Sequence, residues 1–115
     1  MNADKKYNGW TNYETWAVKL WMDNDEGSDS YWRDEAKSAL ERAIDDPSDV
    51  LSAKEDATAN LADIIKEQHE EALPEVNGFA SDLLNAAMSE VNWWEIASHY
   101  VDEAAEEMEA DERNR

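Results

Sequence analysis

The sequence predicts an all-α protein, a compact irregular bundle of about five helices, and three observations support this fold class. Apolar residues recur at intervals of three and four through most of the chain, which is the spacing of a helix face. Three glycines and two prolines fall between those stretches and divide them. No segment alternates apolar and polar residues for long enough to indicate a strand. We expect a single acidic helical domain over residues 1–115, with flexible ends at 1–10 and 110–115.

The first two helices are predicted from a cap, a glycine and a proline. Thr11 and Glu14 have the spacing of a capping box, in which each side chain bonds a free backbone N–H at the helix start. Gly27 is predicted to end the first helix with a positive φ, and Asp29 or Ser30 to cap the second. The buried stripe of the first helix is predicted as Tyr13, Trp16, Ala17, Leu20 and Trp21. The second helix should stop before Pro47 and bury Trp32, Ala36, Ala39, Leu40, Ala43 and Ile44.

The remaining three helices have similar signals. Ser52 and Glu55 form a capping box that opens the third helix, which ends at Leu73 and Pro74. Its inward residues are predicted as Ala57, Leu61, Ile64, Ile65 and Ala72. A short fourth helix should follow Asn77-Gly78 and carry Phe79, Leu83, Ala87 and Met88. In the fifth helix Asn92 is the cap, Glu95 closes the box and Val91 packs on Ile96. Its stripe is Trp93, Ile96, Ala97, Tyr100, Val101, Ala104 and Met108.

The charge is the outlying feature of the composition. Twenty-nine acidic residues against ten Lys and Arg give a formal net charge of −19, far more than solubility requires. Disordered acidic chains lack large apolar residues, whereas this chain has six Trp and 42% hydrophobic residues, so it should fold. Direct binding to nucleic acid is disfavoured because phosphate contacts need an excess of Lys and Arg. Without cysteine, an apolar leader or an apolar span of about 18 residues, we expect a cytoplasmic protein that does not enter a membrane.

Enzymatic and metal chemistry have weak support in the sequence. No Cys, no Ser–His pair and no Gly-rich phosphate loop is evident, so we expect no enzyme and no cofactor. The acidic stretch from Trp21 to Trp32 resembles a calcium loop, but counted from Asp23 its glycine is one position early and position 12 is Asp34 rather than Glu. A weak calcium module centred on Asp23, Asp25 and Asp29 stays as one alternative. The Glu-x-x-His pattern of di-metal bundles is absent around His99 and His69.

Two further patterns indicate binding surfaces. Trp93 and Trp94 lie about 100° apart on a helix and cannot both face the core, so Trp94 is a candidate interface anchor. The last helix carries seven acids in eleven residues, namely Asp102, Glu103, Glu106, Glu107, Glu109, Asp111 and Glu112. Like charges four residues apart destabilise a helix by about 0.2–0.5 kcal/mol per pair, which suggests that the charge has a role. Carboxylates about 5–6 Å apart along a helix could imitate the phosphates of a duplex toward a basic groove.

The stretch Asn8 to Gly27, NGWTNYETWAVKLWMDNDEG, resembles the start of a family of small acidic proteins from phages, prophages and plasmids. The stretch Asn92 to Tyr100, NWWEIASHY, is similar to that family's second recurring block. The resemblance covers about a quarter of the chain and implies a mobile-element context. Small acidic proteins in that context are frequently anti-restriction or anti-CRISPR factors, some of them DNA mimics, which is an analogy of context.

The leading hypothesis is therefore a non-enzymatic inhibitor that binds a basic, nucleic-acid-binding surface of a host defence or DNA-processing complex. The predicted partner-binding residues are Asp102, Glu103, Glu106, Glu107, Asp23, Asp25, Glu26, Asp29 and Trp94. The alternatives are a structural or assembly domain whose acidity is adaptation to a high-salt cytoplasm, and the calcium module. A homodimer is compatible with the sequence, which does not fix the oligomeric state.

Overall fold

The computed structural model describes residues 7–47 and 51–113, and it is built from five α-helices. They are α1 (Tyr13–Asn24), α2 (Glu26–Asp45), α3 (Ala53–Ala72), α4 (Gly78–Ser89) and α5 (Trp93–Arg113). No strand occurs within the two described ranges, where an isolated bridge between Tyr7 and Trp10 closes the turn that precedes α1. The all-α prediction is confirmed. Residues 1–6 and 114–115, which belong to the predicted flexible ends, lie outside the described ranges.

The core lies where α2, α3 and α5 pack on one another, and α1 packs across α2 and α5. The predicted stripe of α2 is buried except for Ile44, which is half exposed. In α3 the inward residues Ala57, Leu61 and Ile65 are buried, whereas Ala72 is exposed. From α5 the buried residues are Ile96, Ala97, Tyr100, Val101 and Ala104. Periodicity therefore identified the core-facing side of these three long helices.

The prediction for the buried face of α1 is wrong. Trp21 is 76% exposed, and Leu20 and Tyr13 are also exposed. The helix instead buries Thr15, Lys19 and Met22, which lie on a different side of the helix. The Tyr7 ring packs against the rings of Tyr13 and Trp16 with centroids 5.1 and 4.9 Å away, so the aromatic side chains cover one another on the outside.

The junction between α1 and α2 also differs from its prediction. Gly27 lies in the first turn of α2 and does not adopt a positive φ. The chain turns instead at Asp25, whose extended backbone ends α1 and begins α2. The Asp25 side chain caps α2 by accepting a hydrogen bond from the Ser28 N–H at 3.2 Å. Because Asp25 already caps α2 with its side chain, the junction needs neither a glycine with a positive φ nor a cap at Asp29 or Ser30.

The other helix ends follow local rules. The capping box of α3 is confirmed, because Ser52 and Glu55 exchange two hydrogen bonds of 3.1 Å between side chain and backbone. Gly78 takes a φ of +61° at the start of α4, a conformation that glycine adopts without strain. Met88 and Ala87 of α4 are half-buried, but Phe79 and Leu83 are exposed, so α4 is a helix as predicted without adding a buried face to the core. None of the helices described is both long and apolar enough to cross a membrane.

Candidate acidic binding face

The starts of α1 and α5 are held together by hydrogen bonds, most of them partly buried. The Thr15 hydroxyl donates to Asn12 Oδ1 at 2.6 Å and accepts from the Asn92 N–H at 2.8 Å. The Asn12 side chain caps α1 through the Thr15 N–H and donates to the Glu90 carbonyl oxygen at 2.6 Å. Asn12, and not Thr11, is therefore the N-cap of α1. This network joins the stretch Asn8 to Gly27 to the stretch Asn92 to Tyr100, and it sets where α5 begins relative to α1.

The capping box predicted for α5 is changed by the same contacts. Asn92 caps α5 as predicted, because its Oδ1 accepts from the Glu95 N–H at 3.0 Å. The Glu95 carboxylate accepts from the Thr11 N–H at 3.1 Å, and the Asn92 N–H is bonded to Thr15. The Glu95 carboxylate and the Asn92 N–H, which a local box would pair with each other, are thus each bonded to residues at the start of α1, Thr11 and Thr15. Val91 and Ile96 are both buried in the core next to this network.

Carboxylates from α2 and α5 meet at Arg33. The Arg33 guanidinium donates to Asp29 Oδ2 at 3.0 Å and lies 3.8 Å from Glu103 Oε2. These two carboxylates, with a further contribution from Glu107, raise the pKa of Arg33. Arg33 is half exposed, so the pair is on the surface and works mainly to position the two acids. Asp29, one of the predicted loop acids, and Glu103, one of the predicted last-helix acids, therefore meet at one cation.

Tyr100 lies beneath this meeting point. Its ring is buried, its hydroxyl is 3.5 Å from Asp29 Oδ1, and Lys19 Nζ lies 4.6 Å from the ring centroid. Burial raises the pKa of Tyr100 well above its ordinary value of 10.0, and the charges of Asp23, Asp29 and Glu103 raise it further. The carboxylates of three helices thus surround one phenol. Lys19 itself is paired with Asp23 across one helical turn.

The outer side of α5 extends this surface toward α3. Lys54 Nζ lies 2.9 Å from Asp102 Oδ1, and this hydrogen bond together with the charges of Asp102, Glu109 and Glu106 raises the pKa of Lys54. Glu106 and Glu107 are exposed and have no ion pair within 4.0 Å among the described residues. We define the acidic face as the seven carboxylates that converge on Tyr100, Arg33 and Lys54, namely Asp23, Asp29, Asp102, Glu103, Glu106, Glu107 and Glu109.

The acidic face keeps a surplus of negative charge. Three cations lie within it, Lys19, Arg33 and Lys54, against its seven carboxylates, which leaves four negative charges uncompensated. Of the eight acidic residues predicted to bind a partner, half form an ion pair with a Lys or Arg of the chain, namely Asp23, Asp29, Asp102 and Glu103. Asp25 and Glu26 lie at the start of α2, where Asp25 caps the helix and Glu26 is exposed in its first turn. Both favour the helix through its N-terminal dipole, which gives these two acids a local structural role.

Residues 3–114 match the model of DUF7249, a family of unknown function. The chain belongs to this family. Neither a curated protein nor a solved structure matches the chain. The matched range contains both sequence blocks that the hydrogen bonds of Thr15 and Glu95 bring together. In this DUF7249 chain those blocks are neighbours in space although about 80 residues separate them in sequence.

The other predicted site residues are placed as follows. Trp94 is 47% exposed and lines a groove with Trp93, Asn92, Lys66 and Asp63. His99 is exposed, 3.2 Å from Glu103 Oε1, and its ring packs on that of Trp10. Asp23, Asp25 and Asp29 are not grouped as ligands of one cation, because each contacts a different group, namely Lys19, the Ser28 N–H and Arg33. In the described ranges no three His, Cys, Asp or Glu side chains are arranged to hold a metal ion.

Sequence reasoning missed the cations and the phenol that organise the acidic face. Arg33 and Lys19 could have been found, since each lies four residues from its acid, Asp29 and Asp23, on one helix. Lys54 pairs with an acid 48 residues away, and local spacing does not report such a contact. Tyr100 was assigned to the core correctly, but the acids around its hydroxyl come from three helices.

Proposed function

We propose that this protein is a non-enzymatic inhibitor that presents its acidic face to a basic, nucleic-acid-binding surface of another protein. The observation that carries the proposal is the convergence of seven carboxylates from α1, α2 and α5 around three cations, with four charges left over. The mobile-element context implied by the resemblance supports the same function by analogy.

The arrangement on α5 suits a cleft that normally holds a nucleic acid. Asp102, Glu106 and Glu109 follow each other at four and three residues, a rise of about 6 and 4.5 Å along the helix. A single strand of duplex DNA has one phosphate per about 3.4 Å of axis, so the carboxylates are sparser than phosphates but of comparable spacing. Because the helix that carries them is packed, their backbone positions are fixed before a partner arrives, which lowers part of the entropic cost of binding.

The internal cations are compatible with this function. Arg33 and Lys54 are more than half exposed, so each contact they make is an exchangeable surface ion pair. Lys and Arg side chains of a partner would compete with them for Asp29, Glu103 and Asp102. Binding would then be driven by neutralisation of the partner's cations and would weaken as salt rises.

The test is capture of partners from host-cell lysate with the intact protein as bait, followed by two elutions at equal ionic strength. One elution contains duplex DNA and the other contains only salt. The proposal predicts that nucleic-acid-binding proteins are retained and that DNA releases them where salt at the same ionic strength does not. Retention of no such protein, or equal release by both solutions, would contradict it.

A structural or assembly domain is the second candidate, and the exposed aromatic side of α1 favours it. Tyr13 and Trp21 are exposed, and Tyr and Trp are enriched among residues that dominate protein interfaces. In that case alanine at Trp21 would abolish partner capture and charge reversal on α5 would leave it unchanged, whereas the inhibitor proposal predicts the reverse.

A further inference from the structure

The fourth helix carries an apolar side that the protein's own core does not cover. Phe79 and Leu83 are one turn apart on α4 and are 79% and 56% exposed. Val76, just before the helix, is also exposed. None of the twelve residues of α4, all within the described part of the chain, is buried. We call Val76, Phe79 and Leu83 the α4 apolar side.

This helix is short of stabilising contacts by itself. Asn77, the residue before it, makes no side-chain hydrogen bond to its first turn. Helices of fewer than about 12–15 residues are marginal in water unless an amphipathic face is packed. At its C-terminal end α4 approaches the bundle, where Met88 and Asn85 line a cleft with Lys66 and Trp93. The N-terminal half, which bears Phe79 and Leu83, therefore gains most from an external partner.

The charge distribution indicates what that partner is. Residues 76–89 contain one charged side chain, Asp82, in a chain that is 34% charged with a net charge of −19. A basic partner would find few carboxylates there to pair with and would be attracted to the acidic face instead. Two copies of this chain repel each other over most of their surfaces, and this segment adds only one negative charge per copy to that repulsion.

We propose that the α4 apolar side is a homodimer contact, in which α4 of one protomer packs against α4 of its partner around a two-fold axis. A two-fold contact is self-complementary, so Phe79 and Leu83 of both copies would meet in one small cluster. A 12-residue helix is about 18 Å long, which offers less area than a standard interface of about 800 Å² per partner. The dimer is accordingly weak and forms as concentration rises.

The dependence on salt concentration distinguishes this dimerisation from binding to a basic partner. Raising ionic strength from 0.01 to 0.15 M shortens the screening length from about 30 to about 8 Å, which relieves repulsion between two −19 chains. Dimerisation should therefore strengthen with salt, whereas binding through the acidic face should weaken. The dimer can fail while the proposed function stands, and the reverse also holds.

The experiment is sedimentation equilibrium of the intact protein over a concentration series at low and at physiological ionic strength. The wild type should show a monomer–dimer equilibrium that shifts toward dimer with salt. Leu83→Asp, which places two like charges at the axis, should be monomeric at the concentrations where the wild type dimerises. Trp21→Ser removes an exposed apolar side chain from α1 and should dimerise as the wild type does.

Circular dichroism of each variant checks that the bundle is intact. Leu83 is exposed, so Leu83→Asp should unfold at the same urea concentration as the monomeric wild type. A wild type that is monomeric at both ionic strengths, or a dimer that Leu83→Asp leaves unchanged, would overturn the proposal. A dimer that weakens as salt rises would overturn it as well, because it would then depend on charged contacts.

Discussion

The Thr15 hydroxyl joins the starts of α1 and α5, since it donates to Asn12 and accepts from the Asn92 N–H. The residue is fully buried, and removing its hydroxyl would leave the Asn92 N–H without its acceptor, whereas Asn12 Oδ1 would keep its bond from the Thr15 N–H. Sequence analysis anticipated the caps at Ser52 and Asn92, because a cap and its partner lie three residues apart. It missed Thr15, whose second partner is 77 residues away.

Removing this hydroxyl gives the first prediction. Thr15→Val keeps the side-chain shape and leaves the Asn92 N–H without its acceptor, so unfolding free energy should fall by about 1–3 kcal/mol. Thr58→Val is the matched control, because Thr58 is also buried but its hydroxyl donates only to the Lys54 carbonyl oxygen within its own helix. Its cost should be clearly smaller in urea unfolding. Equal losses in the two variants would contradict the role given to Thr15.

Tyr100 gives a prediction about alkaline pH. Burial and the surrounding carboxylates raise its folded-state pKa above the ordinary 10.0, so the unfolded chain loses the phenol proton first. The stability due to the neutral phenol is complete below about pH 10 and is lost as pH rises beyond it. Urea unfolding should therefore show a steeper fall above pH 10 for the wild type than for Tyr100→Phe. Parallel curves would mean that the phenol titrates alike in both states.

The sequence predicted where the helices lie along the chain better than it predicted which side of each helix is buried. For α2, α3 and α5 one stripe is apolar and the other sides are polar, so periodicity identified the core side. In α1 two stripes compete: one aromatic, ending in Trp21, and one with Thr15, Lys19 and Met22. The second is buried, and there the Lys19 amine lies over the Tyr100 ring and pairs with Asp23. Counting the apolar residues on each side of α1 does not predict which side is buried.

The orientation of α1 is tested with two tryptophans. Trp32 is 3% exposed, and truncating a buried Trp typically costs about 3–5 kcal/mol, so Trp32→Ala should destabilise the protein strongly. Trp21→Ala should change the unfolding free energy by no more than about 0.5 kcal/mol, because its side chain is exposed. Urea unfolding followed by circular dichroism distinguishes them. A large loss of unfolding free energy in Trp21→Ala would indicate that the aromatic side of α1 is buried after all.

For the whole molecule, the net charge of −19 sets the response to salt. An ordinary protein of this charge should stay folded in dilute buffer and gain stability as salt screens its self-repulsion. A protein adapted to a high-salt cytoplasm should instead lose its fold there. Circular dichroism and thermal unfolding at low ionic strength therefore decide between the inhibitor and the salt-adapted domain. Loss of helical signal in dilute buffer would favour the second.

The composition of the acidic face could be anticipated, but its geometry could not. Seven acids in eleven residues of the last helix were evident from the sequence. Five of them lie in the acidic face with Asp23 and Asp29, and this depends on the packing of α5 against α1 and α2 and on the cations that pair with the carboxylates. Long-range pairs such as Lys54 with Asp102 decide which acids keep free charge. That information belongs to the tertiary structure.

The most direct measurement compares two charge reversals of equal size in the partner-capture assay. Glu106→Lys/Glu107→Lys changes the acidic face, and Glu67→Lys/Glu71→Lys makes the same change in net charge at exposed positions near the far end of α3. The account predicts that the α5 variant loses the DNA-displaceable partner while the α3 variant retains it. If both variants bind equally well, or lose the partner equally, the acidic face is not the binding site.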